Sequence, residues 1–344
     1  IQRSGEPVIR AAMNQAMKLM GKQFVLGRSI SEALKNGRPE REKGYTYSFD
    51  MLGEAALTQA DAEKYMADYR KAIDTVGAEP QVGPGPKPSV SIKLSALHPR
   101  YEVAQRERVL TELFANVREL AIRARELGVG ISVDAEEADR LELSLELYEK
   151  LMRDPAIKGW GEFGLVVQAY SKRCLPVLVR LTLLGKELGA KMPLRLVKGA
   201  YWDSEIKQCH VQGLDGFPVF TRKEATDTSY LACARFLLSD FTRGVIYPQF
   251  ASHNAHTVSS ILSMAAEHRQ PREFEFQRLH GMGDALYDTV LEKHGKTVRI
   301  YAPVGAHKDL LPYLVRRLLE NGANSSFVHQ LVDPSTPVES LLDH

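Results

Sequence analysis

From about residue 44 onward the chain alternates between short β-prone or apolar runs and longer stretches carrying the 3.6-residue period of an amphipathic helix. The short runs are Tyr45–Asp50, Ser89–Leu94, Gly130–Asp134, Phe163–Gln168, Leu194–Val197, Tyr247–Ala251, Phe274–Gln277 and Val298–Tyr301. Helical stretches such as Gln105–Leu127, Pro176–Leu188 and Thr257–His268 lie between them. Strands that are each followed by a helix run parallel, because the crossover returns the chain to the end from which it left. About eight such units favour a sheet that closes on itself over an open one. The expected fold class is α/β, a (β/α)8 TIM-like barrel. The 344 residues suffice for such a barrel, which needs about 250, with an N-terminal extension left over.

That extension carries the segment Glu6–Gly37, alanine-rich and helical in pattern, with Gly27 and Gly37 as natural stops. It is expected as an N-terminal helical arm over residues 1–43, outside the main fold. The cluster Val82-Gly83-Pro84-Gly85-Pro86-Lys87-Pro88 is a loop into the second strand rather than a linker. The barrel is therefore expected to occupy residues 44–332, with a loosening tail over residues 333–344. The chain begins at Ile1 and is expected to be part of something longer. Its 45 Lys and Arg nearly balance 43 Asp and Glu, so no broad basic face for nucleic acid is implied. Cys174, Cys209 and Cys233 form no C-x-x-C pair, which argues against a disulfide framework or structural zinc and suits a reducing cytoplasm. No apolar run of about 18 residues is present to span a membrane.

Active sites of such barrels gather at the carboxyl ends of the strands, and here those ends are polar. Asp50 and Glu54 follow the first run, Lys93 lies in the second, and Asp134 and Gln168 end the third and fourth. Arg195 and Lys198 lie along the fifth, His253 follows the sixth, and Gln277 and Tyr301 end the seventh and eighth. One such group alone is as readily a solvated charge as a ligand-binding one. Polar ends on nearly every strand are harder to explain that way, since buried charge needs a partner or a ligand. Lys93 sits in the apolar run Val90-Ser91-Ile92-Lys93-Leu94, where an ammonium is costly unless it meets an anion. Arg316 and Arg317 are neighbours on the last helical stretch. On the barrel's flank they would be an ordinary surface pair. With a C-terminal helix capping the barrel mouth, their forked guanidinium groups and Lys93 would form a carboxylate clamp.

Gly281-Met282-Gly283 lacks the third glycine of a dinucleotide fingerprint. Gly199 either permits close approach of a ligand beyond the fifth strand or simply makes the turn. In His253-Asn254-Ala255-His256 no carboxylate stands in register and no H-E-x-x-H pattern occurs, so a metal site is not expected. At a helix N-terminus, His253 is better placed to help hold phosphate. No serine-triad or cysteine-nucleophile pattern is found. A lyase using Lys93 or Lys198 as a Schiff base, and a catalytically silent ligand-binding domain, both remain open.

Several longer stretches carry a resemblance. They are Ser48-Phe49-Asp50-Met51-Leu52-Gly53-Glu54, Ser91-Ile92-Lys93-Leu94-Ser95-Ala96-Leu97-His98-Pro99-Arg100-Tyr101, Asp134-Ala135-Glu136-Glu137 and Val167-Gln168-Ala169-Tyr170. Further on come Arg195-Leu196-Val197-Lys198-Gly199-Ala200-Tyr201-Trp202-Asp203, His253-Asn254-Ala255-His256, Tyr301-Ala302-Pro303-Val304-Gly305 and Tyr313 through Asn324. Together they resemble, over essentially the whole chain, the proline dehydrogenase domain of the bacterial bifunctional Proline utilization A family.

The resemblance implies FAD as cofactor, and oxidation of L-proline to Δ1-pyrroline-5-carboxylate by hydride transfer from C5 to flavin N5. It implies that electrons pass on to a membrane quinone in the first step of proline catabolism to glutamate. A cytoplasmic protein peripherally associated with the inner face of the membrane follows, with a downstream aldehyde dehydrogenase absent from this chain. By residue, it implies that Lys93, Arg316 and Arg317 bind the proline carboxylate, and that Tyr301, Leu196, Tyr201 and Tyr313 close around the ring. Asp134, Ala135, Gln168 and Arg195 would surround the flavin ring, with Asp134, Arg195 and Lys93 carrying the catalysis. Val197, Lys198, Gly199 and Ala200 would hold the ribityl-phosphate portion, with Tyr201, Trp202, Thr221 and Lys223 also reaching the cofactor. Ser252, where the family often has threonine, and His253 would meet the pyrophosphate. Gln277, Leu279 and Glu320 would lie toward the adenosine.

Overall fold

The computed structural model describes residue 21, residues 23–306 and residues 313–316. Its eight strands are β1 (Thr46–Met51), β2 (Ser89–Ile92), β3 (Ile131–Val133), β4 (Phe163–Gln168), β5 (Met192–Val197), β6 (Ile246–Ala251), β7 (Glu275–Leu279) and β8 (Val298–Val304). Each pairs in parallel with the next, and β1 pairs with β8 to close the barrel. The (β/α)8 expectation is met.

Alternate residues of a strand face opposite ways. One set, with Phe49, Ile92, Ile131, Leu194, Phe250, Phe276 and Ile300, joins the inner faces of the surrounding helices in one apolar core. The helix Gln59–Ala78 shows how they dock. Thr58 caps it in a reciprocal box with Asp61, and Ala62, Met66, Tyr69, Ala72, Ile73 and Val76 form its buried stripe.

The other set fills the lumen and is polar. Arg299 donates to Glu275 through Nε (2.7 Å) and Nη2 (3.2 Å), and to Ser89 Oγ through Nη1 (3.1 Å). Glu275 also accepts from Gln249 (2.9 Å) and Gln277 (2.8 Å). An eight-stranded barrel encloses room only for side chains, so the Glu275 and Arg299 charges meet each other instead of bulk water. The amide oxygens of Gln249 and Gln277 find no partner among the described residues.

Three expectations need correction. β2 stops at Ile92, so Lys93 stands just beyond the strand, ahead of the short helix Leu94–Leu97. Its backbone N–H is taken by the hydroxyl of Tyr69 (3.0 Å) instead of a neighbouring strand. The stretch Gln105–Leu127 is not one uniform helix: a 3₁₀ turn at Val103–Gln105, a short α segment at Arg106–Arg108 and a π turn at Val109–Leu113 precede the helix Phe114–Leu127.

The third concerns the N-terminal segment. From Phe24 on it does not lie outside the fold. Leu26, Ile30, Ala33 and Leu34 are buried in the barrel's own core, and the Leu26 N–H donates to Pro303 O (3.0 Å). Helical residues end at Phe24, just ahead of Gly27, which bridges to Val304 at the end of β8. Gly37 does cap the helix Ile30–Asn36, as expected.

Candidate active site at the mouth of the barrel

The carboxyl ends of β1, β2, β3, β5 and β8 bring five charged or phenolic groups into one buried cluster. Lys93 Nζ lies 2.5 Å from Asp50 Oδ1, 3.7 Å from Asp134 Oδ2 and 3.4 Å from the Tyr301 hydroxyl. Burial works to lower the Lys93 pKa, but Asp50, Tyr301 and Asp134 together hold it well above the usual lysine value. The amine is therefore a fixed ammonium. Tyr301 donates to Asp134 Oδ2 (2.7 Å), and burial, then the Asp134 charge, pushes its phenol well above the ordinary range.

Arg195 completes the cluster. Nη1 donates to Asp134 Oδ1 (2.8 Å), Nη2 donates to the hydroxyls of Ser48 (3.1 Å) and Ser91 (3.0 Å), and the guanidinium stacks over the Tyr301 ring at 5.1 Å. Its Nε is buried with no hydrogen-bond partner among the described residues, as is Asp50 Oδ2.

Arg316 comes to the same mouth. It pairs in a fork with Glu54, just after β1, at 2.6 and 2.7 Å, and stands over the Tyr201 ring at 5.1 Å. Burial opposes its charge, yet Glu54 and Tyr201 hold its pKa above the usual arginine value. Tyr201, raised first by burial, feels both Arg316 and Lys93. Tyr313 and Leu314 pack with Phe24 and Leu52, with Tyr301 against them. The described part of the last helical stretch thus lies over the mouth. Arg317 and Glu320 fall outside the described residues.

The remaining expected residues divide. Gln168, at the end of β4, donates to the backbone carbonyl of Glu136 (2.9 Å) and lines a cleft with Asp134 and Ala135. Val197 ends β5, and Lys198, Gly199, Ala200 and Tyr201 follow it, all of them partly exposed. Lys198 pairs with Asp227, and Trp202 donates to Phe220 O (2.8 Å). Thr221 and Lys223 are exposed at the start of the helix Lys223–Leu238. What comes close to Gly199 (φ 137°) is the ring of Tyr170, which a Cβ would meet at 2.6 Å.

His253 Nε2 accepts from the Leu279 N–H (2.9 Å), joining the ends of β6 and β7. It stands just ahead of the helix Ala255–Ala266, which Asn254 caps by accepting from the Thr257 N–H (3.0 Å). Ser252 Oγ accepts from the Asn254 N–H (3.1 Å). Two residues sit differently from expectation. Gln277 does not end its strand, since β7 runs on to Leu279 and leaves it buried at 1% exposure beside Glu275. Leu196 is fully buried in the apolar core, its carbonyl accepting from Tyr230 (3.2 Å).

The sequence reading missed three residues. Ser48 and Ser91 bond Arg195, and their only trace is polar–apolar alternation in Tyr47-Ser48-Phe49-Asp50 and Val90-Ser91-Ile92-Lys93. Glu136 is the third. Its side chain is 6% exposed and takes two hydrogen bonds from Ser95, and burial pushes its carboxyl up to about 7. Among the described residues no group of three or more side chains could hold a metal ion.

The proline dehydrogenase family profile matches residues 33–330. The bifunctional protein PutA of Klebsiella aerogenes is 53% identical over 99% of the chain, and the chain spans 26% of that relative. A proline dehydrogenase of Deinococcus radiodurans is 27% identical, covering 94% of the chain and 93% of the relative. Among solved structures, proline utilization A of Bradyrhizobium japonicum superposes with a TM-score of 0.81 at 52% identity, covering 99% of this chain and 34% of that one. That of Bdellovibrio bacteriovorus, inactivated by N-propargylglycine, gives 0.86 at 32% identity, covering 97% and 36%. The chain thus spans about a quarter to a third of these bifunctional relatives, and over its own length it belongs to the proline dehydrogenase family.

Proposed function

We propose that the chain is a FAD-dependent proline dehydrogenase, oxidising L-proline to Δ1-pyrroline-5-carboxylate in the first step of proline catabolism. The observation that carries this reading is the pairing of a buried and a partly buried cation with exchangeable carboxylates at one mouth, Lys93 with Asp50 and Arg316 with Glu54. A substrate carboxylate can replace either partner at little electrostatic cost, since it brings the same charge. Arg317 would add a third cation. Tyr301 and Tyr201, beside the two pairs, would flank the substrate ring, with Tyr313 closing over it. With its carboxylate anchored, a small rigid ring has little freedom left, and that restriction supplies much of the rate.

The residues fit the cofactor. Arg195 offers a buried cationic donor whose Nε has no partner among the described residues, and Asp134 holds the guanidinium in place. Ala135, Gln168, Val197, Lys198, Gly199, Ala200, Trp202, Thr221, Lys223, Ser252 and His253, at the ends of β4 and β5 and in the segments that follow β3, β5 and β6, would hold FAD, with Leu279 and Glu320 toward the adenosine. Bound FAD would supply the two-electron acceptor. The electrons would pass to a membrane quinone, with peripheral contact at the cytoplasmic face. No helix of the described residues is long and apolar enough to cross a membrane. The Schiff-base alternative for Lys93 loses ground, because an amine held as the ammonium has no free lone pair.

One experiment tests the reading: a visible spectrum before and after L-proline without an added acceptor. A yellow protein that bleaches is expected. The Arg316→Met variant should stay yellow but need at least about tenfold more proline for the same bleaching. A colourless protein that takes up no FAD would end the proposal.

A further inference from the structure

Arg195 finds its partners on the far side of the barrel. It stands on β5, and in a ring of eight strands β5 lies opposite β1. Its side chain crosses the lumen to Ser48 on β1, Ser91 on β2 and Asp134 just past β3. The two serine hydroxyls lie 2.9 Å apart and both accept from Nη2. Both serines are fully buried and Arg195 is 3% exposed.

Lumen positions of such barrels are usually filled by bulky branched side chains. A valine or leucine at position 48 or 91 would take the space of the guanidinium. It would also remove one of the two hydroxyls that accept from Nη2 where no bulk water reaches. Asp134 cannot fix the guanidinium by itself. The same carboxylate accepts from Tyr301 and lies 3.7 Å from Lys93, so it is shared with the groups that a substrate must disturb. The serine hydroxyls bond each other and Arg195 instead.

The geometry points to Ser48 and Ser91 as positioning residues. They clamp the Nη2 edge of Arg195 on the barrel side and leave Nε–H as a fixed donor for what the mouth binds. What that donor meets rests on the flavin reading, whereas the serine–arginine contact does not.

The test is the double variant S48A/S91A, compared with each single variant and with S48T/S91T. Its readouts are a crystal structure, the flavin midpoint potential, and kcat and KM for proline. A displaced Arg195 guanidinium is expected. So is a more negative potential, because a displaced cation stabilises less of the negative charge that reduction adds. The kcat should fall about tenfold while KM stays within about twofold. Single variants should show less, since one hydroxyl still accepts, and the threonine pair should recover most of the loss. A lower melting temperature with Arg195 unmoved, and with potential and kcat unchanged, would make the serines mere packing and overturn the assignment. A wild-type protein without flavin would sink the flavin reading instead. The variant's crystal structure would then still decide whether the serines place Arg195.

Discussion

The charges at the mouth are legible as a set only when each is seen with its neighbour. Lys93 would be expelled from a site this dry without Asp50, and Asp134 shares its two oxygens between Arg195 and Tyr301. Glu136 is the exception, because Arg140, 4.0 Å away, does not offset its burial, and its carboxyl is raised from the usual 4.5 to about 7. A carboxyl raised in the folded state holds a proton that the unfolded chain has already lost. Its contribution to stability is therefore full below about 4.5 and is lost as pH rises toward about 7, on the order of 3 kcal/mol in total. Glu136→Gln should flatten that fall, raising the melting temperature at pH 8 relative to wild type and changing it little at pH 4.5. An unchanged pH profile would mean that the group titrates normally. Sequence reading passed over this residue because Glu136 and Glu137 look alike in a row, and only burial separates them.

Strands and helices place these side chains through where they stop. The runs of alternating residues located the strands to within a few positions, and the mouth followed because a parallel barrel has all its carboxyl ends on one side. The ends themselves depend on competition the sequence does not display. β2 is cut short at Ile92 where Tyr69, from a neighbouring helix, takes the next backbone N–H. Gly199 is a comparable case beyond β5, since its φ of 137° and the Tyr170 ring leave no place for a side chain. Gly199→Ala should cost about 1–3 kcal/mol, seen as a melting temperature lower by several degrees. A wild-type melting curve would show that the turn relaxes freely.

For the molecule as a whole, the described part of the N-terminal segment is a component of the barrel. Leu26, Ile30, Ala33 and Leu34 complete the core near the helix Gln59–Ala78, and the Gly27–Val304 bridge ties the segment to the last strand. Burying an aliphatic side chain of that size is worth about 1.5–3 kcal/mol, and a whole domain about 5–15. Deleting residues 1–37 should therefore abolish the cooperative melt followed by circular dichroism, whereas a detachable arm would leave it unchanged.

The sequence by itself determined the barrel, its polar mouth and the family, because periodicity and long motifs are local properties written along the chain. Tertiary structure alone decided which charges pair, which serines reach Arg195 and that Leu26, Ile30, Ala33 and Leu34 belong to the core. Those outcomes depend on distances between residues far apart in sequence, and on water being excluded where they meet. Neither is encoded at any single position.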